Sequence, residues 1–116
     1  MSESLANLVS ARLPIVGLVA YSIHLPDRVL ATECFSKSLY PSSTEQMLSG
    51  VVRLGRSLLP AEESGAHFCW VFECLRVYVA ARSDDICLAV MVENNPGVQM
   101  VRVREMLQDF VELPEA

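Results

Sequence analysis

A three-layer α/β sandwich, one five-stranded antiparallel sheet with helices on both faces, is the fold this sequence predicts. Three observations lead there. Hydrophobic periodicity gives elements in the order α-β-β-α-β-β-β-α. Two strand-like segments, 66–73 and 86–93, are apolar on both alternating faces, so the sheet expects cover on both sides. The helical segments 43–59 and 98–113 each carry an apolar stripe able to provide that cover.

The first helix spans about 3–13, with Leu5, Leu8, Val9 and Arg12 at helical spacing, Ser2 or Ser4 as caps and Pro14 as its stop. Segment 15–22 is apolar and rich in β-branched residues, which predicts a buried strand. His24-Leu25-Pro26-Asp27 carries turn chemistry, because Pro presets φ and Asp bonds its own backbone. Segment 29–35 then returns as the second strand of a hairpin. After a polar connection, Ser43 with Gln46 three residues on fits a capping box, and Glu45 suits a helix N-terminus. This helix runs to Leu59, where Pro60 ends it. Met47, Leu48, Val51, Val52, Leu54, Leu58 and Leu59 form its apolar stripe, opposite Gln46, Ser49, Arg53, Arg56 and Ser57. Gly50 and Gly55 lie inside it at about 1 kcal/mol each, and close approach of another helix or of the sheet is their expected use.

Three strands follow, at 66–73, 75–82 and 86–93, joined by a tight turn near Cys74 and by Ser83-Asp84-Asp85. The last is apolar on both sides and is expected at the centre of the sheet. Asn94-Asn95-Pro96-Gly97 is a loop. The final helix, 98–113, points Met100, Val103, Leu107, Phe110 and Val111 inward before Pro114 closes it.

At 116 residues the chain forms one domain, 1–116, with a single core. It is 52% hydrophobic and 20% charged, apolar for a lone domain, and the surplus points to an oligomer interface. No membrane insertion is expected. A spanning helix needs roughly 18 apolar residues, and the longest run, 13–21, is broken by Pro14 and Gly17. Met-Ser-Glu-Ser at the start lacks the charge and apolar stretch of a signal peptide, so a cytoplasmic location is expected. The net charge of −5 excludes nucleic acid as partner, since phosphates require a basic surface.

No catalytic, cofactor or metal residue is expected. Cys34, Cys69, Cys74 and Cys87 form no C-x-x-C pair, no His-x-x-x-His exists, and buried, reduced thiols are the plain reading. His67 and Cys69 share a strand face, but no third residue is in place to orient a nucleophile. Asp84-Asp85 reads as turn chemistry. Gly50-x-x-x-x-Gly55 has no following Lys and sits mid-helix, so it is no phosphate loop.

The most informative stretch is 66–73, Ala-His-Phe-Cys-Trp-Val-Phe-Glu. Phe68, Trp70 and Phe72 alternate with Cys69 and Val71, and neither Pro nor Lys blunts the segment as an exposed edge. It is either central or an edge that pairs with another chain. Trp70 serves as interface anchor or core residue.

This element order, with a buried first strand after a short Leu-rich helix and an apolar central helix, resembles the Roadblock/LC7 family over about residues 5–113. Longin and profilin-like domains share related layouts. Members often carry Asp-Gly at the tip of the first hairpin, where this chain has Leu25-Pro26-Asp27-Arg28. The resemblance implies a homodimer in which third strands pair into one continuous sheet beside antiparallel central helices. Here those are 66–73 and 43–59. The interface would draw on Met47, Val51, Leu54, Leu58, His67, Phe68, Cys69, Trp70, Val71 and Phe72. It further implies a non-catalytic scaffold or regulator for a small Ras-like GTPase, or a motor adaptor, with no nucleotide site of its own. Gln46, Ser49, Arg53 and Arg56 are then the partner contacts. A different class also fits the acidic charge and the bare edge, namely a secretion-type chaperone or heterodimer subunit that shields a partner's apolar segment by strand addition.

Overall fold

The computed structural model describes residues 2–36, 39–58, 67–82 and 84–113, with the backbone alone for Ser2, Glu3, Leu58, His67 and Phe68. The elements are α1 (Ser2–Ala11), β1 (Leu18–His24), β2 (Val29–Cys34), α2 (Pro41–Leu58), β3 (His67–Val71), β4 (Leu75–Ala81), β5 (Cys87–Glu93) and α3 (Met100–Glu112). Their order is the one the sequence predicts. The strands form one antiparallel sheet in the order β2-β1-β5-β4-β3. The doubly apolar β5 is central and β3 is an edge.

Two apolar clusters lie on opposite faces of the sheet. On one, Leu5 and Val9 of α1 and Val103, Met106, Leu107 and Phe110 of α3 cover Tyr21, Ile23, Leu88, Val90 and Val92. On the other, Leu48, Val51 and Val52 of α2 cover Ala20, Val77, Val79, Cys87, Ala89 and Met91. Odd and even residues of β5 therefore go to different layers, as alternation along a strand requires.

Several boundaries move. β1 begins at Leu18 and continues through His24, which the turn chemistry of the neighbouring Leu25-Pro26-Asp27 had drawn into the hairpin tip. Segment 15–17 is instead a connection. It holds Gly17 at φ +89°, where an added Cβ would lie 2.6 Å from Val98 Cγ2. The Leu13–Pro14 peptide bond is cis. There is no capping box at Ser43, because α2 starts two residues earlier. Pro41 opens the helix, a position where its missing N–H is no loss, and the Tyr40 carbonyl accepts from both the N–H and the Oγ1 of Thr44. Glu45 consequently stands beyond the first turn. The expected helix end at Leu59, the loop expected over 61–65 and the expected first residue of the third strand, Ala66, lie outside the described residues.

The 84–85 turn has the expected chemistry: Asp84 Oδ1 accepts the Ile86 N–H at 3.2 Å and Asp85 takes φ 66°. Ser83 lies outside the described residues. The preceding Arg82, its side chain 2% exposed, is paired with Asp84 and donates to the Phe110 carbonyl in the last turn of α3. Its guanidinium also lies 5.7 Å from the Phe110 ring centroid. A cation here offsets the negative end of α3 and satisfies a carbonyl left without a helical partner.

Candidate functional site

β3 presents one side of its backbone to β4, and among the described residues no strand pairs with the other. The Phe72 N–H bonds the Leu75 carbonyl, and the antiparallel register continues with Trp70 opposite Val77 and Phe68 opposite Val79. Backbone groups alternate in direction along a strand, so those of His67, Cys69 and Val71 point to the open edge. Side chains alternate as well. Trp70 joins the cluster beneath α2 and is half-buried, whereas Cys69 and Val71, opposite Tyr78 and Arg76, face the α3 side. Val71 is 67% exposed, and Phe72 lies exposed just past the strand end. The side chains of His67 and Phe68 lie outside the described residues.

α2 has three distinct sides. Leu48, Val51 and Val52 face the sheet and are buried. Val51, expected at an interface, is thus spent on the protomer's own core. A quarter turn away, Met47 is half-buried and Leu54 is 44% exposed. At 100° per residue, Gly50 shares this flank, and a Cβ there would meet nothing within 4 Å. Of Leu58, only the backbone is described. The remaining arc carries Ser42, Glu45, Gln46, Ser49, Gly50 and Arg53, which line a shallow polar groove of about 510 Å³. The expected contacts Gln46, Ser49 and Arg53 are brought together there.

Arg56 has a different role from the one expected of it. Its Nη2 donates to the carbonyls of Leu25 and Asp85, both at 3.0 Å, and its Nε lies 3.7 Å from Asp85 Oδ1. It fastens the β1–β2 turn and the β4–β5 turn to the end of α2. Between that β1–β2 turn and α2 lies a pocket of about 300 Å³, bordered by His24, Arg28, Ser49, Val52, Arg53 and Arg56. His24 is 5% exposed, shares a 2.6 Å hydrogen bond between its Nε2 and Ser22 Oγ, and pairs across the sheet with Cys87. Burial, and then the positive charge of Arg56, push its pKa down to about 4, so the ring is neutral at pH 7. The turn assignment hid this residue. Its signal in the sequence is the period-2 continuation Ala20-Ser22-His24 of the α2-facing side.

The cysteines are all free thiols, but only Cys87 is buried. Cys69 and Cys74 are exposed and Cys34 is half-buried. The expectation of buried thiols fails for Cys69 because, among the described residues, no element covers the α3-side face of β3. Burial also raises the Cys87 pKa, which keeps it protonated. No group of three or more His, Cys, Asp or Glu able to hold a metal occurs among the described residues. Nor is any described helix long and apolar enough to cross a membrane.

These features define a small α/β sandwich with helices on both faces and an unprotected third strand. No protein-family model matches the sequence, and no curated protein matches it. Solved structures do. A Roadblock/LC7 domain from Streptomyces avermitilis is similar at 18% identity and TM-score 0.61, over 97% of this chain and 92% of that one. Myxococcus xanthus MglB is similar at 11% identity and TM-score 0.57, over 96% and 85%. A structure of MglB in a tetrameric arrangement is similar at 14% identity and TM-score 0.61, over the same shares of the two chains. The fold is that of the Roadblock/LC7 domains.

Proposed function

We propose that this chain is a non-catalytic, cytoplasmic homodimeric scaffold. Its β3 strands pair across a two-fold axis into one continuous sheet, and its α2 helices pack antiparallel beside them. The observation that carries this reading is the β3 edge. The backbone groups of His67, Cys69 and Val71 point outward, no Pro or Lys blunts the strand, and Val71 within it and Phe72 at its end are exposed. The likeness to Roadblock/LC7 domains supports the same mode of pairing. Once paired, the outer arcs of the two α2 helices, with Gln46, Ser49 and Arg53, form the surface for a small Ras-like GTPase or for the cargo of an adaptor. The nucleotide belongs to that partner.

Light scattering after size exclusion, over a dilution series, tests the reading. The expected mass is twice 12.8 kDa. Val71→Arg alters an exposed side chain and should leave a folded monomer, because strand pairing would bury an unpartnered charge in an apolar interface. A wild-type monomer, or a Val71→Arg protein that stays dimeric, rules out pairing through β3.

A further inference from the structure

The pocket between the β1–β2 turn and α2 is complete within one protomer and lies on the side of α2 away from Met47 and Leu54. Three of the chain's nine Lys and Arg residues, Arg28, Arg53 and Arg56, border it, although the protein as a whole carries −5. Arg28 stands on the turn and Arg53 on the helix, so the two guanidinium groups come from opposite walls. Both are exposed, and neither makes a side-chain hydrogen bond or ion pair among the described residues. Arg56 does not share that freedom. Its bond to the Leu25 carbonyl ties the two walls together, and its bond to the Asp85 carbonyl anchors it to the β4–β5 turn.

From this we propose that the pocket is an anion site, and that its occupant is an acidic segment of a protein partner whose Asp or Glu carboxylates reach Arg28 and Arg53. The choice of carboxylate follows from the surroundings. Phosphate sites draw on helix N-termini and on clustered backbone N–H groups. This pocket borders the C-terminal half of α2, where the helix dipole opposes a compact dianion. Asp27 on the rim and Asp85 beside Arg56 further lower the positive charge available. What remains is two exposed guanidinium forks, which match planar carboxylates in bidentate geometry. Leu25, Pro26, Val29 and Val52 give the walls apolar area for the methylenes of Glu or for neighbouring apolar side chains.

The proposal does not depend on dimerisation. It is tested on the whole chain by nitrogen-15 NMR titration with an acetylated hexaglutamate peptide, and in parallel with inorganic phosphate. Shifts should gather at the amides of 24–29 and 49–56 and at the Arg28 and Arg53 Nε–H, and they should vanish in 0.5 M salt. Arg28→Gln and Arg53→Gln change exposed groups, and each should weaken the peptide about fivefold. Circular dichroism verifies that both variants are folded. Peptide shifts spread over the surface, equal shifts in the double variant, or tighter binding of phosphate than of peptide would each overturn the assignment. Light scattering on the same double variant should still give the dimer mass, which separates failure here from failure of strand pairing.

Discussion

Gly50→Ala separates the needs of the protomer from those of the assembly. Gly50 is the tenth residue of the 18-residue α2, two turns from either end. A methyl group there meets no atom within 4 Å, so within one protomer the change only removes backbone freedom from the unfolded chain. Helix propensity puts the gain at about 1 kcal/mol. With an unfolding entropy of about 2.1 cal/mol/K per residue, the 116-residue chain has roughly 0.24 kcal/mol/K at its midpoint, and Tm rises by about 4 °C. Among the described residues, nothing inside the protomer accounts for a glycine at this position.

The proposed dimer does account for it. An antiparallel α2 pair centred between residues 50 and 51 sets Met47 of one helix against Leu54 of the other and brings Gly50 to the crossing. Two added methyl groups at the point of closest approach amount to overpacking, about 1–3 kcal/mol per dimer, or roughly 5- to 150-fold in Kd. Analytical ultracentrifugation gives the dissociation constant, and thermal melting at dilutions where monomer prevails gives the protomer's stability. The expected result is a more stable protomer that associates more weakly. A variant with higher Tm and unchanged Kd would refute the crossing at Gly50. A variant that loses stability as monomer would refute the open space around it.

Four further outcomes are expected. Unfolded histidine takes up a proton near pH 6.5 and His24 in the fold only near 4, so the unfolded state binds more protons in between. Stability is therefore full above about 6.5 and falls by about 2–3 kcal/mol as pH drops to 4, and a His24→Gln variant with an equally steep urea-melt profile would exclude His24 as the source. Gly17→Ala meets both a positive φ and Val98, and should cost at least about 2 kcal/mol in urea unfolding. Arg82→Ala leaves the Phe110 carbonyl and Asp84 without their buried cation, and should cost about 3 kcal/mol by the same measurement. Mild oxidation should link the proposed dimer through Cys69. A β3 pair centred there brings the two Cα atoms to about 5.5 Å, within disulfide reach, and Cys69→Ser should abolish the covalent band on a non-reducing gel.

The fold was legible because its strands announce their layers. Cys87, Ala89 and Met91 alternate with Leu88, Val90 and Val92, and that pattern alone demands helices on two faces and a central strand. The edge position of β3 was legible only as one of two options. A doubly apolar strand looks the same whether the cover comes from its own chain or from a partner. The misses have local causes. Pro41 reads in the sequence as part of a connection, although proline is at home in a helix's first turn, and the Ser-x-x-Gln pattern offers a false start two residues on. His24 was lost to its neighbours, since Pro26 and Asp27 mark a turn but not where it begins. Arg56 looked like one more solvated cation on a helix face. Only the folded chain shows the Leu25 and Asp85 carbonyls converging on it from sequence positions about thirty residues away.

The two rims of the sheet differ, and that difference bears on how assembly stops. β3 offers a straight, uncharged rim. β2 carries exposed Glu33 at its rim, and the register of its partner β1 shifts between Ile23 and His24. Two copies joined through β3 would therefore end in β2 on both sides, with a like charge facing any newcomer. Such a ribbon terminates at ten strands, twice the five of one protomer. The chain would thereby have a valency of one for itself, and a pair rather than a fibre would be its natural end point.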